Sequence, residues 1–175
     1  MIIEGQKIRT DRLLLRKFTK DDLDDFYNIL SRDEVGRQLP KGEGFSRSEV
    51  KKWLENIINL WEKNDYGVWA VTIEKSQNFI GYCGLNYIQD INKIEILYSL
   101  SPEFWNRGYA TEAARAVIIY GFKKLKLDRI VGFTKLGNTP SERVLKKAGL
   151  KYVEIKDIFG MKCKYYQITN DLVKL

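Results

Sequence analysis

"SPEFWNRGYATEAARAV", residues 101–117, sets Gly108 and Ala110 two positions apart where an apparent strand gives way to a helix. The first backbone N–H groups of a helix have no partner within it, and with the helix dipole they form a ready site for phosphate. Gly108 has no side chain to hold an anion off the backbone, and Ala110 keeps the next approach small. Arg107 can add a charge-assisted contact. The segment therefore predicts a pyrophosphate cradle of main-chain amides, against the plainer alternative of a tight turn that binds nothing. Other phosphate loops fit worse. No Gly-Lys pair followed by Ser or Thr occurs, and a dinucleotide fingerprint would need a third glycine and a place after the first strand.

Upstream, "IRTDRLLLRKF" reads as one opening strand, and Thr19 caps a helix whose apolar face is Leu23, Phe26, Tyr27 and Leu30. A loop from Arg32 to Phe45 follows. Ser46 and Glu49 have the spacing of a capping box, opening a helix with Val50, Trp53, Leu54, Ile57 and Trp61 on one face. "YGVWAVTIE", "FIGYCGLNYI" and "KIEILYSL" are strands joined by turns short enough to require an antiparallel meander. The helix from Ala110 has small residues at its start, which lets it lie close to a sheet. "RIVGFTK" is a further strand. In "NTPSERVLKKAGL" Thr139 is the expected cap, Pro140 the first helical residue, Glu142 the partner that closes a capping box, and Gly149 the left-handed stop. A hairpin turning near Gly160 ends the chain. The sum is an α/β fold in one domain spanning residues 1–175: a mixed, mostly antiparallel seven-stranded sheet with four helices.

Composition narrows the chemistry. The 175 residues include no histidine and two cysteines, Cys83 and Cys163, outside any CxxC. That removes the Ser-His-Asp triad and the commonest general base, and makes a metal site an expected absence. The cysteines read as reduced, buried thiols. No apolar run is long enough for a membrane span, and the first residues lack a signal-peptide core, so a cytoplasmic protein without a membrane partner is expected. The net charge of +7 comes from lysines scattered along helix faces without interleaved aromatics, which counts against nucleic acid as a partner.

The stretch from Trp105 to Thr111 resembles the acyl-CoA pyrophosphate loop of the GNAT N-acetyltransferase superfamily, whose pattern is Gln or Arg-x-x-Gly-x-Gly or Ala. Trp105 stands at the Gln/Arg position, a departure similar to the branch of ribosomal-protein N-terminal alanine/serine acetyltransferases. "TDRLLLRKFTKDD" and "GNTPSERVLKKAGL" resemble the opening and the last helix of that branch. The resemblance implies the GNAT fold with splayed central strands, acetyl-CoA as cosubstrate, and an amine acceptor. The backbone of Tyr98, Ser99 and Leu100 would pair with the pantetheine arm. Trp105, Asn106, Arg107, Gly108, Tyr109, Ala110 and Thr111 would surround the pyrophosphate. Asn138 and Ser141 would lie near the pantetheine and its sulfur. The tyrosine acid frequent in the family, seven residues after the helix-opening Asn, is replaced by Leu145. Ser141 or water would then protonate the leaving thiolate, or the thiolate would leave as the anion.

The implied reaction is direct attack of a neutral amine on the thioester. Deprotonating a lysine-like amine costs roughly 4.6 kcal/mol at pH 7, and an α-amine only about 1 kcal/mol. A chain without histidine suits the easier substrate, a protein or peptide N-terminus; a polyamine, an amino sugar or aminoglycoside, or an amino acid is the alternative acceptor. Glu95 is the candidate base, directly or through water; the competing reading is a strand glutamate paired with a lysine. Glu112 reads as a first-turn helix acid and the tryptophans as core, with one lining the acceptor slot as the alternative. The Arg32–Phe45 loop is the expected acceptor entrance. A homodimer is compatible with all of this, and the competing function is a basic nucleic-acid- or ribosome-binding module that retains the turn without catalysis.

Overall fold

The computed structural model describes residues 1–158 and 160–172. Among these described residues nine strands form one sheet in the order β1-β2-β3-β4-β5-β6-β7-β9-β8. They are β1 (Ile2–Glu4), β2 (Lys7–Arg9), β3 (Leu13–Lys17), β4 (Val68–Ile73), β5 (Phe79–Ile88), β6 (Lys93–Leu100), β7 (Arg129–Lys135), β8 (Lys151–Ile158) and β9 (Met161–Thr169). Five helices are described: α1 (Leu23–Leu30), α2 (Asp33–Gly36), α3 (Arg47–Lys63), α4 (Tyr109–Lys123) and α5 (Thr139–Lys147).

The expected seven strands and four helices are thus corrected to nine and five. The opening segment is not one strand. Thr10 breaks it: its N–H donates to the Leu13 carbonyl at 2.9 Å while its Oγ1 accepts from the Leu13 N–H at 3.0 Å, which turns β2 back onto β3. The Trp69 indole N–H then holds the β1–β2 hairpin through the Gln6 carbonyl at 2.6 Å. Helix α2 lies within the expected Arg32–Phe45 loop, where fully buried Val35 anchors a single turn to the core. Helix α5 is also corrected at its start. Asn138, not Thr139, is the cap, with Oδ1 accepting from the Ser141 N–H at 3.1 Å. Pro140 is accordingly the second helical residue, and Glu142 closes no capping box. Its carboxylate accepts instead from Lys164 Nζ at 2.7 Å and the Tyr166 hydroxyl at 3.3 Å.

Thr19 caps a 3-10 turn, Lys20–Asp22, and Asp22 is the cap of α1 itself. Three further local expectations match the structure. Ser46 and Glu49 form the capping box of α3. Gly149, at φ +102°, ends α5, with Leu150 N–H reaching back to the Leu145 carbonyl at 3.0 Å. Strands β4, β5 and β6 are an antiparallel meander.

Every neighbouring pair is antiparallel except β6 and β7, which are parallel and in register at a single pair, Glu95 and Val131. Beyond that pair the two strands part, as the resemblance implied. Strand alternation then assigns the faces. Tyr82 of β5 packs edge-on against Trp53 of α3 and Phe26 of α1. Asn86 and its cross-strand partner Glu95 share that face. Tyr98, three residues on from Glu95, faces the other side, where its hydroxyl meets α5. The sheet is therefore sandwiched, with α1 and α3 on one face and α4 and α5 on the other, and the β6–β7 gap connects the two.

Candidate active site

A cavity of about 1060 Å³ occupies the gap and opens on both faces of β6. Its floor near α4 is the segment that the sequence singled out. Asn106 at φ +59° and Gly108 at φ +80° turn the chain through left-handed backbone into the helix. A side chain with a β-carbon is strained at φ +80°, and glycine adopts it freely. The first bond of the helix runs from the Glu112 N–H to the Gly108 carbonyl at 3.0 Å. The N–H groups ahead of Glu112 lie in the first turn, where no helical carbonyl precedes them.

This mouth is braced from outside. Arg12 Nη1 donates to the Arg107 carbonyl at 3.1 Å, and its guanidinium lies over the Tyr109 ring at 4.3 Å. Glu112 accepts from Arg12 Nε at 2.7 Å and from the Thr10 hydroxyl at 2.6 Å. Its negative charge is thereby committed to the β2–β3 turn. The Trp105 indole N–H donates to the Leu100 carbonyl at 2.6 Å and ties the loop to the end of β6. One of the backbone acceptors expected for the pantetheine arm is thus already engaged by Trp105.

Of the residues expected at the site, Glu95, Tyr98, Ser99, Leu100, Trp105, Asn106, Gly108, Tyr109, Ala110, Thr111, Asn138 and Ser141 all line this one cavity. Arg107 does not: its exposed guanidinium sits 5.9 Å from the Phe104 ring centre. The part of Arg107 that the brace engages is its carbonyl, which accepts from Arg12.

Glu95 lines the cavity from the α3 face. Burial pushes its carboxyl up to about 7, and a single described hydrogen bond, from Asn86 Nδ2 at 2.9 Å, opposes the shift. No lysine pairs with it among the described ion pairs, which removes the strand-ion-pair reading. On the opposite face the Tyr98 hydroxyl lies 2.9 Å from Ser141 Oγ and donates to the Ser141 carbonyl at 3.1 Å. Burial raises the Tyr98 phenol above its ordinary range, so it keeps its proton. Leu145, where the family's tyrosine would stand, is buried against Gly132 and does not line the cavity.

The sequence reading missed the Tyr98 hydroxyl and Asn86. Asn86 was discoverable, because the Gln89–Asn92 turn pairs Ile88 with Lys93 and so sets Asn86 opposite Glu95. The Tyr98 contact joins residues 43 apart in the chain and leaves no local signal. Trp61 and Trp69 are core as expected, whereas Trp53 lines the cavity together with Leu39, Pro40 and Phe45 of the expected entrance. Arg143 and Lys147 add positive charge along the α5 wall. Among the described residues no group of three Cys, Asp or Glu side chains is arranged to hold a metal ion. No described helix is long and apolar enough to cross a membrane.

The pattern of the acetyltransferase (GNAT) domain family matches residues 12–151. An uncharacterised N-acetyltransferase of Bacillus subtilis, YnaD, is 31% identical over 156 residues, covering 89% of this chain and 86% of its own length. A GNAT-family acetyltransferase structure from Bacillus anthracis superposes with a TM-score of 0.82 at 26% identity, over 94% of this chain and 99% of that one. RimL, a ribosomal L7/L12 α-N-protein acetyltransferase solved in complex with coenzyme A, has the same fold at 17% identity, with a TM-score of 0.80 over 95% and 99% of the two chains. With a phosphate-ready helix mouth, parted central strands and a carboxylate at the junction, the chain belongs to the GNAT acetyltransferase family and is an N-acetyltransferase whose acyl donor is acetyl-CoA.

Proposed function

We propose that the chain acetylates the α-amine of a protein or peptide N-terminus by direct attack on the thioester, with Glu95 as general base. The observation that carries this reading is the Glu95 carboxyl, held inside the cavity with an amide as its described partner and pushed up to about 7 by burial. A base in that range matches an α-amine, which has a pKa near 7.7 in solution. A lysine ε-amine would need roughly 4.6 kcal/mol at pH 7 before it could attack. In the proposed reaction the amine nitrogen bonds to the thioester carbonyl carbon and the carbon–sulfur bond breaks. The ammonium proton passes to Glu95 and from there to solvent. The sulfur departs as the thiolate beside the Tyr98–Ser141 hydroxyl pair, which keeps its protons while hydrogen-bonding it, and is then protonated by water.

The donor would be held by the residues already placed along the cavity. The N–H groups of Gly108, Tyr109, Ala110 and Thr111 offer the diphosphate a cradle of dipoles and donors. Main-chain groups of Tyr98 and Ser99 would pair with the pantetheine, with Asn138 and Ser141 beside its thiol end. The positive α5 wall at Arg143 and Lys147 favours an anionic ligand.

The test is mass spectrometry of peptides carrying one α-amine and one lysine, incubated with acetyl-CoA. Acetylation confined to the α-amine is the expected result. Modification at lysine, or consumption of polyamines in preference to peptides, would overturn the assignment. Binding is checked separately: acetyl-CoA should raise the melting temperature by several degrees at saturation, and Gly108→Val should abolish that rise.

A further inference from the structure

Resting on an α-amine acceptor attacking at Glu95, we infer that the first residue of that acceptor bears an apolar side chain of leucine, methionine or phenylalanine size, and that polycationic amines are excluded. The argument starts from charge. The described charged side chains that line the cavity are Glu95, Lys135, Arg143 and Lys147, one carboxylate and three cations. Arg143 and Lys147 belong to α5, on the donor side. Lys135 shares the face of Glu95, because Val131, the register partner of Glu95, lies four residues before it on the same strand. Its ammonium donates to the Arg37 carbonyl at 3.1 Å. A spermidine or an aminoglycoside would bring two or more ammonium groups to this face. Only one could meet Glu95, and the rest would be stripped of water beside a lysine with no anion to receive them.

Apart from the uncharged polar side chains of Gln38, Asn56, Asn86 and Ser99, the remaining lining of that face is apolar. Phe45, Trp53, Leu97, Phe133 and Met161 line it, and each is only half-buried. Trp53 and Phe45 are a tilted ring pair at 5.9 Å, and Phe133 is stacked on Tyr165 at 5.3 Å. These two braced aromatic walls stand on either side of the β6 strand that carries Glu95 and Leu97. A side chain attached one bond from the attacking nitrogen would enter between them, removing apolar surface on both partners from water.

The experiment compares kcat/KM at saturating acetyl-CoA for peptides identical except at residue one, together with leucinamide, phenethylamine, spermidine and kanamycin. Leucine- and phenylalanine-first peptides should exceed the glycine-first peptide by on the order of tenfold or more. Spermidine and kanamycin should stay at background. Trp53→Ala and Phe133→Ala, each confirmed folded by thermal denaturation, should bring the leucine-to-glycine ratio to within about threefold of unity. Peptide turnover indifferent to residue one, or highest for aspartate or lysine, overturns the inference and leaves α-amine acetylation standing. Turnover of leucinamide and phenethylamine without peptides upholds the apolar class and removes the N-terminal acceptor. Spermidine as the best acceptor, or no acceptor at all, overturns both.

Discussion

Asp22 and Glu95 are two carboxylates withdrawn from water, and the protein treats them in opposite ways. Asp22 is 6% exposed and sits at the entry to α1. Burial is the strongest single influence on it and pushes it up. Arg16 nevertheless grips both its oxygens, at 2.6 and 2.9 Å, and the Thr19 N–H donates at 2.7 Å, so that its pKa ends below the usual value. Glu95 is given an amide instead of a guanidinium, and burial prevails, holding it near 7. A paired carboxylate is fixed as an anion and serves as structure. One left with a neutral donor is poised to exchange a proton, at a cost in stability.

The hardest blow to this contrast is Glu95→Gln. It should lower kcat by about 10²-fold or more with acetyl-CoA affinity unchanged, as measured by steady-state kinetics and by titration of the donor. Wild-type kcat/KM should climb as pH rises through about 7, and the mutant should lose the Glu95 component of that climb. An unaltered profile would remove Glu95 from the mechanism.

Next in size is Asp22→Asn, which strands the Arg16 guanidinium beside a neutral amide. Breaking a buried pair costs about 3–5 kcal/mol, and partial exposure of Arg16 reduces this to about 2–3. The melting temperature should fall by roughly 5–10 °C with kcat intact. The pH dependence has a definite sign. A carboxylate with a depressed native pKa contributes stability above its unfolded value near 4, and that contribution is lost as pH falls through the native pKa. Wild type should therefore lose stability in acid more steeply than Asp22→Asn.

For Glu95 the sign reverses. Its raised native pKa means that ionisation destabilises the fold as pH rises from the unfolded value toward 7 and beyond. Glu95→Gln should be more stable than wild type at pH 8, by about 1–3 kcal/mol, and the gain should vanish near pH 4. Denaturant melts at the two pH values measure it. The mildest change is Tyr98→Phe, which removes the hydroxyl facing Ser141 while leaving a phenyl ring in the same place. A kcat loss of about three- to tenfold with little change in melting temperature is expected, and Ser141→Ala in the same background should add less than its effect alone.

Much of the architecture was legible because its signals are local. The capping box of Ser46 and Glu49, the stop at Gly149, the short turns of the meander and the small residues opening α4 each act within a few residues. Errors arose where a distant contact outweighed a local preference. The turn at Thr10 that divides the opening segment is made locally with Leu13 and is anchored from 102 residues away, where Glu112 accepts from the Thr10 hydroxyl. Glu142 leaves its expected cap because Lys164 of β9 is within reach.

The amino-acid order alone determined the fold class, the helix mouth at Gly108 and the candidacy of Glu95, since periodicity, capping and the reach of a glycine turn are properties of neighbouring residues. Only the tertiary structure decided that burial raises the Glu95 carboxyl, that Tyr98 and Ser141 meet, and that Arg107 is not among the cavity-lining side chains. Burial and hydrogen bonding between remote segments depend on what the rest of the chain packs around them, and no stretch of sequence carries that information by itself.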